Sequence, residues 1–180
     1  MNNFQNNEKL PVGTKLYPLT MNRDERGIFT EVFRSSWLEG DSPIQWNVVS
    51  SETNVLRGVH FHINHADYLI LIKGKAVFAL KDLRPSSPTE GTISMLEMSE
   101  DNIQALYIPP GVAHGFYFYT PAMHIYGVDH YWSHDDELGC RFDDPLLGIS
   151  WPSKTPITSL RDQQLPKLEN VINFVPTYQD

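Results

Sequence analysis

The chain has 180 residues, of which 41% are hydrophobic, 12% aromatic and 20% charged. This composition is typical of one folded domain of about 100–200 residues. The formal net charge is −8, from 14 basic and 22 acidic side chains, which argues against nucleic-acid binding because phosphate backbones attract an excess of Lys and Arg. No stretch approaches the roughly 20 consecutive apolar residues that a membrane span needs.

Short apolar runs separated by turn residues make up most of the chain. Their β-branched and aromatic residues predict strands, in chain order at residues 55–62, 68–72, 75–83, 92–98, 103–108, 116–119 and 123–131. The helix candidates are short, at residues 36–38 and 159–164. Many short strands with regular turns predict an all-β fold, a jelly-roll barrel with short helical pieces. We expect one domain over residues 1–180, with residues 1–10 and 170–180 peripheral.

The N-terminus and the cysteine content bear on the cellular compartment. The N-terminal sequence MNNFQNNEKL has neither the basic flank nor the apolar stretch of a secretory signal. The single cysteine, Cys140, cannot form an internal disulfide. Both features predict a soluble protein in the reducing cytoplasm.

The densest group of chemically active side chains is the segment RGVHFH at residues 57–62. Side chains alternate between the two faces of a strand, so His60 and His62 are expected on one face, with Val59 and Phe61 on the other. Arg57 has the wrong parity to join the histidines unless Gly58 marks a β-bulge. A bare HxH pattern is as often a pair of solvent-exposed histidines as a site.

A second histidine-bearing segment favours a site inside the barrel. The sequence PPGVAHGF at residues 109–116 sets His114 directly after a tight turn, at the start of a predicted strand. The inside of a jelly roll is a natural ligand cavity, because alternate residues of facing strands form its walls. Polar residues that point inward at these positions are the candidates for chemistry.

The sequence resembles the nucleotide-sugar 3,5-epimerase family, whose members epimerise dTDP-4-keto-6-deoxyglucose on the way to rhamnose. The resemblance runs from about residue 24 to 166, in segments that follow the family's order: DERGIFTEVF (24–33), IQWN (44–47), VLRGVHFH (55–62), DLRPSSPTEG (82–91), IPPGVAHGF (108–116), DDPLLGISWP (143–152) and SLRDQQLP (159–166). It implies a cupin-like jelly roll, a homodimer and no metal or organic cofactor.

The resemblance also implies catalytic roles. His60 matches the family's base, and Asp162, in SLRD, matches the carboxylate that orients it. An imidazole suits the removal of a carbon-bound proton beside a ketone, because its pKa is near neutral. Tyr126 matches the tyrosine that returns the proton on the opposite face. The segment between His114 and Tyr126 is one residue shorter than in the family, so Tyr131 is a reserve candidate.

Further positions match the family's substrate contacts, which implies a nucleotide-diphosphate sugar as partner and no nucleic acid or membrane. Arginine suits a diphosphate because its planar fork bonds two oxygens at once. The predicted substrate-binding residues are Arg26, Phe29, Glu31, Gln45, Asn47, Arg57, His62, His114 and Tyr131.

Two positions depart from the family pattern. Asp67 stands where the family has a lysine that helps to hold the enolate oxygen, and Phe78 stands where it has an aspartate that supports the later histidine. An ionised Asp67 about 4 Å from an enolate would oppose the reaction by about 4 kcal/mol at an effective dielectric constant of ~20. Asp67 must therefore point away, be protonated, or be offset by His62, by His65 or by a metal. The departure suggests a substrate or carbon specificity different from that of the rhamnose pathway, such as a single-centre epimerase.

Two alternatives to the epimerase remain at this stage. Metal-dependent cupins use an HxH pair, a carboxylate and a later histidine, and His60, His62, Asp67 and His114 fill that pattern with ligands suited to zinc, iron, manganese or nickel. The other alternative is a non-catalytic relative that binds a sugar nucleotide. The motifs outside the histidine cluster favour the epimerase over both.

Overall fold

The computed structural model describes residues 9–133 and 136–179. It consists mainly of antiparallel strands, with short helical pieces. The strands are β1 (Lys15–Pro18), β2 (Met21–Asp24), β3 (Gly27–Thr30), β4 (Gln45–Ser51), β5 (Leu56–Phe61), β6 (Asp67–Lys73), β7 (Lys75–Asp82), β8 (Ile93–Ser99), β9 (Gln104–Ile108), β10 (Val112–Phe118), β11 (Ala122–Val128) and β12 (Leu138–Gly139). The helix α1 spans Leu160–Gln163, and 3₁₀ turns lie at Ser35–Trp37, Pro145–Leu147, Leu168–Asn170 and Ile172–Phe174.

The strands form two five-stranded sheets and a separate hairpin. The first sheet has the order β1-β9-β6-β11-β4, the second has the order β12-β5-β10-β7-β8, and β2 pairs with β3. The main core lies between the two sheets: β6 and β9 supply Leu69, Leu71, Leu106 and Ile108, and β7, β8 and β10 supply residues such as Phe78, Leu96 and Phe118. This packing of two sheets confirms the predicted all-β, cupin-like jelly roll.

The seven predicted strands correspond to β5–β11; five of them have both ends within one residue of the prediction, and two differ by more. The strand predicted at 116–119 begins earlier, at Val112. Strand β10 lies in the middle of its sheet, where it pairs with β5 on one side and β7 on the other, and all of its residues are buried. This stretch contains alanine and glycine, which are uncommon in strands, so residue propensity does not predict it as a strand. The strand predicted at 123–131 ends at Val128.

The strands β1–β4 and β12 were not predicted. In β4 the outward residues Trp46 and Val48 are exposed, whereas the inward positions include Gln45 and Asn47. The first four residues of β4 therefore alternate as a strand does, but with the polar residues inside and the apolar residues outside. Such a pattern does not separate a strand from a loop when only hydrophobicity is read.

The C-terminal region packs more firmly than the sequence suggests. Val171 and Val175 are buried with Val59 and Phe61, against the outer face of the second sheet. The amide of Tyr178 also donates to the carbonyl of Pro85 at 3.0 Å. Of the N-terminal segment 1–10, residues 1–8 lie outside the described residues. No helix of the described chain is long and apolar enough to cross a membrane.

A buried charge network fixes the turn after β7. The Asp82 carboxylate accepts two bonds from the Arg84 guanidinium at 2.8 Å, and one each from the hydroxyls of Ser87 and Thr89 at 2.6 Å. Burial alone would raise the pKa of Asp82, but these hydrogen bonds outweigh it and hold the pKa below its ordinary value. The stabilisation is therefore complete above the unfolded-state pKa and is lost as the pH falls through the folded-state pKa.

Replacing Asp82 with alanine is expected to lower the free energy of unfolding by about 3 kcal/mol, because the Arg84 charge would remain buried without its partner. Urea unfolding followed by circular dichroism at neutral pH measures this loss. The matched control is Asp143→Ala, which breaks the exposed ion pair between Asp143 and Arg141 and should cost less than about 1 kcal/mol. Equal losses in the two variants would contradict the structural role of the Asp82 network.

Candidate active site

A bulge in β5 brings Arg57 into line with the histidines. The pairing of β5 with β10 shifts from His60 opposite His114 to Gly58 opposite Gly115, so one residue of β5 is extra. Gly58 has φ +111°, and a Cβ there would lie 2.8 Å from the carbonyl oxygen of His114. Only glycine fits this position. The bulge predicted from Gly58 is therefore present, and Arg57, His60 and His62 all line one cavity.

The cavity has a volume of about 230 Å³ and opens at one end of the sheets. Each of the two sheets forms a wall, and residues before and within helix α1, together with Trp132 and Glu137, form the rim. The first sheet contributes Val49, Asp67, Leu69, His124 and Tyr126; the second contributes Arg57, His60, His62, His114 and Phe116; the rim contributes Trp132, Glu137, Ser159, Arg161 and Asp162.

His60 and Asp162 are 102 residues apart in sequence and form a hydrogen bond of 2.8 Å between Nε2 and Oδ1. Asp162 is held in place because Ser159 caps helix α1, its hydroxyl oxygen accepting the Asp162 amide at 3.0 Å. Burial alone would raise the pKa of Asp162, but the hydrogen bonds from His60 and Ser159 hold it below its ordinary value. The ionised carboxylate can only accept this hydrogen bond, so Nε2 of His60 donates it and Nδ1 is left as the basic nitrogen.

Tyr126 lies on β11 of the first sheet, and His60 lies on β5 of the second. The two side chains therefore line opposite walls of the same cavity. Burial raises the pKa of Tyr126, and the negative charges of Asp67 and Glu137 raise it further. The phenol is thus protonated at neutral pH and able to give up a proton. Tyr131, the reserve candidate, is 74% exposed and does not line the cavity.

Asp67 faces the cavity and joins two histidines in a buried triad with His62 and His114. Its Oδ2 lies 3.2 Å from Nε2 of His62 and 3.3 Å from Nε2 of His114. Burial alone would lower the pKa of His62, but the charges of Asp67 and Glu137 raise it to about 9. Burial alone would raise the pKa of Asp67, but its histidine neighbours lower it to about 2. Of the three possibilities for Asp67, the short contact with His62 and the direction of both pKa shifts favour an ionised carboxylate offset by His62.

The triad also accounts for Phe78. Phe78 is fully buried in the core, where its ring packs 4.3 Å from that of Phe116. It offers no carboxylate to His114, and Asp67 takes that place from β6 instead. The pKa of His114 falls to about 4, mainly through burial, so this imidazole is neutral beside its carboxylate.

The structure brings together three of the four residues of the alternative metal set. Within the described chain, His62, Asp67 and His114 each offer an atom within 4.8 Å of the others, and His60 does not belong to this group. Nε2 of His60 is instead hydrogen-bonded to Asp162. A second group of possible ligand atoms consists of His62, His65 and Glu137.

Several predicted substrate-binding residues lie outside the cavity of their own chain. Arg26 pairs with Asp24 in the β2–β3 turn, Glu31 pairs with Arg34 at 2.6 Å, and Phe29 is 70% exposed. These side chains are exposed because the hairpin pairs only with itself.

Gln45 and Asn47 lie on the inner face of β4 without lining the cavity. The side-chain amide of Gln45 donates a hydrogen bond to Asn47 Oδ1 at 3.2 Å and accepts one from the backbone amide of Trp132 at 3.0 Å. Gln45 therefore connects β4 to the Trp132 part of the rim. Arg57 does line the cavity, where Ser51 Oγ and the Ser50 carbonyl accept its guanidinium at 2.9 and 3.0 Å.

Sequence reasoning missed six polar or aromatic cavity residues: Phe116, His124, Trp132, Glu137, Ser159 and Arg161. His124 is two residues before Tyr126 on β11, so strand parity alone could have identified it. Its imidazole is buried, which lowers its pKa to about 4, and its Nδ1 has no hydrogen-bond partner among the described residues. Glu137 and Arg161 form a 3.1 Å ion pair at the rim, for which the sequence carries no local signal.

The fold and the cavity define a cupin-like jelly roll in which a His–Asp pair and a tyrosine line opposite walls of one polar cavity. The model of the dTDP-4-dehydrorhamnose 3,5-epimerase family matches residues 12–170. The chain belongs to this family.

Known relatives agree with this assignment. The dTDP-4-dehydrorhamnose 3,5-epimerase of Escherichia coli K12 is 34% identical over 161 residues, which cover 84% of this chain and 87% of the relative. The structure of RmlC from Legionella pneumophila, a dTDP-6-deoxy-D-glucose-3,5-epimerase in complex with dTDP-4-keto-L-rhamnose, has a TM-score of 0.86 at 29% identity and covers 93% and 94% of the two chains. ChmJ, a 3'-monoepimerase from Streptomyces bikiniensis in complex with dTDP-quinovose, has a TM-score of 0.87 at 28% identity and covers 96% and 93%.

Proposed function

We propose that the protein epimerises a nucleotide-linked 4-keto-6-deoxy sugar at C3, at C5 or at both, in deoxysugar and surface-polysaccharide biosynthesis. The observation that carries the proposal is the 2.8 Å hydrogen bond between His60 and Asp162 in a cavity whose opposite wall bears Tyr126. Relatives named as 3,5-epimerases and as a 3'-monoepimerase support the reaction class and the dTDP-sugar substrate. Neither the metal-dependent cupin enzyme nor the non-catalytic relative gains support from these relatives.

His60 would act as the base. The ketone at C4 makes the hydrogens on the neighbouring carbons acidic, because the electron pair left behind is delocalised onto oxygen as an enolate. Nδ1 of His60 takes the proton, and the resulting imidazolium is stabilised by the Asp162 carboxylate on Nε2. The carboxylate also fixes the tautomer, as it does in other His–Asp pairs.

Tyr126 would supply the proton that completes the inversion. Inversion at carbon requires that the proton leave from one face and return to the other, so acid and base must stand on opposite sides of the sugar. The second sheet carries His60 and the first carries Tyr126. The raised pKa of Tyr126 keeps its proton in place until the enolate accepts it.

The buried triad would keep the cavity compatible with the enolate. An isolated carboxylate at Asp67 would repel it, but His62 lies 3.2 Å away and carries the compensating positive charge. With His114 neutral, the triad has no net charge. The guanidinium groups of Arg57 and Arg161 at the cavity add positive potential for a diphosphate.

We further propose that the protein is a cytoplasmic homodimer. Arg26, Phe29 and Glu31 lie outside the cavity of their own chain, and a second copy would bring these hairpin residues to substrate. The exposed Val48 on the edge strand β4 provides apolar surface for such contact. The buried thiol of Cys140 suits a reducing compartment. Sedimentation velocity would measure the oligomeric mass.

The proposed function is tested with a dTDP-4-keto-6-deoxy sugar in heavy water. The wild-type protein is expected to introduce deuterium at C3, at C5 or at both, and to yield the inverted sugar, because each inversion exchanges a carbon-bound hydrogen for a solvent one. Proton NMR and mass spectrometry of the sugar identify the carbon. A substrate sample with boiled protein is the control for spontaneous exchange. Exchange no faster than in this control would contradict the proposal.

A further inference from the structure

The buried triad of His62, Asp67 and His114 has the arrangement of a metal centre. Three potential ligand atoms, the two Nε2 atoms and Asp67 Oδ2, lie within 4.8 Å of one another. All three residues are less than 9% exposed. Two imidazole nitrogens and one carboxylate oxygen form a ligand set that suits zinc and related divalent transition metals.

The hydrogen bonds on the far side of each imidazole fix its tautomer. His62 Nδ1 lies 3.2 Å from the carbonyl oxygen of Asp136, and His114 Nδ1 lies 3.1 Å from that of Val112. A carbonyl oxygen can only accept, so both Nδ1 atoms carry hydrogen. Nε2 is then the nitrogen of each ring that faces Asp67, and an ion bound there would displace the proton that His62 otherwise carries on Nε2.

Asp67 Oδ2 is the atom that lacks a partner. It is fully shielded from solvent and makes no hydrogen bond, although two nitrogens lie only 3.2 and 3.3 Å away. A buried carboxylate oxygen without a donor is costly. These separations match the ~3.3 Å edge of a tetrahedron whose metal–ligand bonds are about 2.0–2.1 Å long.

We propose that His62, Asp67 and His114 bind a divalent metal ion of the zinc type through Nε2, Oδ2 and Nε2. The three residues leave a fourth position toward the cavity that they line. A cation there would draw electron density from a ketone oxygen of the substrate. Binding of the ion does not depend on the proposed function, whereas this catalytic use rests on it.

The neighbouring group of His62, His65 and Glu137 is a weaker candidate. His65 Nδ1 already contacts Asp136 Oδ2 at 2.6 Å, and Glu137 pairs with Arg161 at 3.1 Å. The Nδ1 atom of His62 on this side is committed to the Asp136 carbonyl. The residues of this second group already form hydrogen bonds or ion pairs with other residues. Asp67 Oδ2, in contrast, accepts no hydrogen bond.

The test uses the full chain, purified without a histidine tag and stripped with a chelator. Calorimetric titration with Zn²⁺ is expected to give one site per chain, and Co²⁺ is expected to give visible absorption of tetrahedral intensity. Asp67→Asn and His114→Gln should each weaken Zn²⁺ binding at least about 100-fold, since each removes a direct ligand. The matched control is His130→Gln, an exposed histidine outside the cavity, which should bind as the wild type does.

Circular dichroism shows whether each variant is folded. If a variant is unfolded, the titration of the wild-type protein with Zn²⁺ still tests whether the chain binds the ion. No saturable binding by the wild type, or binding unchanged in both folded ligand variants, would overturn the proposal. Deuterium exchange measured on the same samples separates the two hypotheses. Exchange by protein that binds no metal would remove only the metal site, whereas a bound metal without any exchange would remove only the epimerase function.

Discussion

Replacing His60 with asparagine is expected to slow deuterium incorporation into a 4-keto-6-deoxy sugar nucleotide by about 10²–10⁴-fold, the range that a positioned general base contributes. Asparagine retains a polar side chain of similar reach but has no basic nitrogen. Among the described residues of the cavity, His60 is the histidine that has one ring nitrogen hydrogen-bonded to a carboxylate at 2.8 Å and the other nitrogen free to take a proton. The rate is measured by proton NMR in heavy water, under saturating substrate.

The matched control for this variant is His130→Asn, which changes an exposed histidine and should keep the wild-type rate. Calorimetric binding of dTDP shows whether the His60 variant retains its ligand site. A folded His60→Asn protein that binds dTDP and exchanges within about tenfold of the wild type would exclude His60 as the base.

Replacing Tyr126 with phenylalanine is expected to separate exchange from inversion. His60 can still remove the proton, trade it for a deuteron from solvent and return the deuteron to the same face. Deuterium should therefore enter the substrate while formation of the inverted sugar falls at least about 100-fold, because the acid on the opposite face is missing. Mass spectrometry follows the deuterium, and NMR coupling constants follow the configuration.

Tyr131→Phe is the comparison for this second experiment, since Tyr131 is the other tyrosine that the sequence suggests and it is 74% exposed. It should invert the sugar at the wild-type rate. Loss of inversion in Tyr131→Phe with normal inversion in Tyr126→Phe would reverse the assignment. Loss of both exchange and inversion in Tyr126→Phe would show that this tyrosine is needed before the proton returns.

The residues that the sequence predicts best are those whose position follows from strand parity or from a local motif. The bulge at Gly58 could be predicted because glycine is the residue that tolerates such backbone, and parity then places Arg57 beside His60. The association of His60 with Asp162 was available only through the resemblance, because 102 residues separate them. Spacing alone carries no information about such a contact.

The features that sequence reasoning missed depend on tertiary packing. Strand β4 begins with polar residues inside and apolar residues outside, and Gln45 finds its hydrogen-bond partners in Asn47 and in the Trp132 amide. The contact of Asp67 with His114 is suggested only by the metal-cupin pattern, since Asp67 reaches His114 from a strand of the opposite sheet. Likewise, Glu137 and Arg161 of helix α1 meet at the rim because the rest of the fold brings the two segments together.

The contact of Asp67 with two histidines makes the residues at positions 67 and 78 depend on one another. The resemblance implies lysine at position 67 and aspartate at position 78. Replacing Asp67 with lysine alone would set an ammonium group beside His62 and remove the carboxylate that His114 contacts. Replacing Phe78 with aspartate alone would bury a second anion in the core. A variant that carries the family's residues in this part of the cavity therefore has to be built by changing both positions at once.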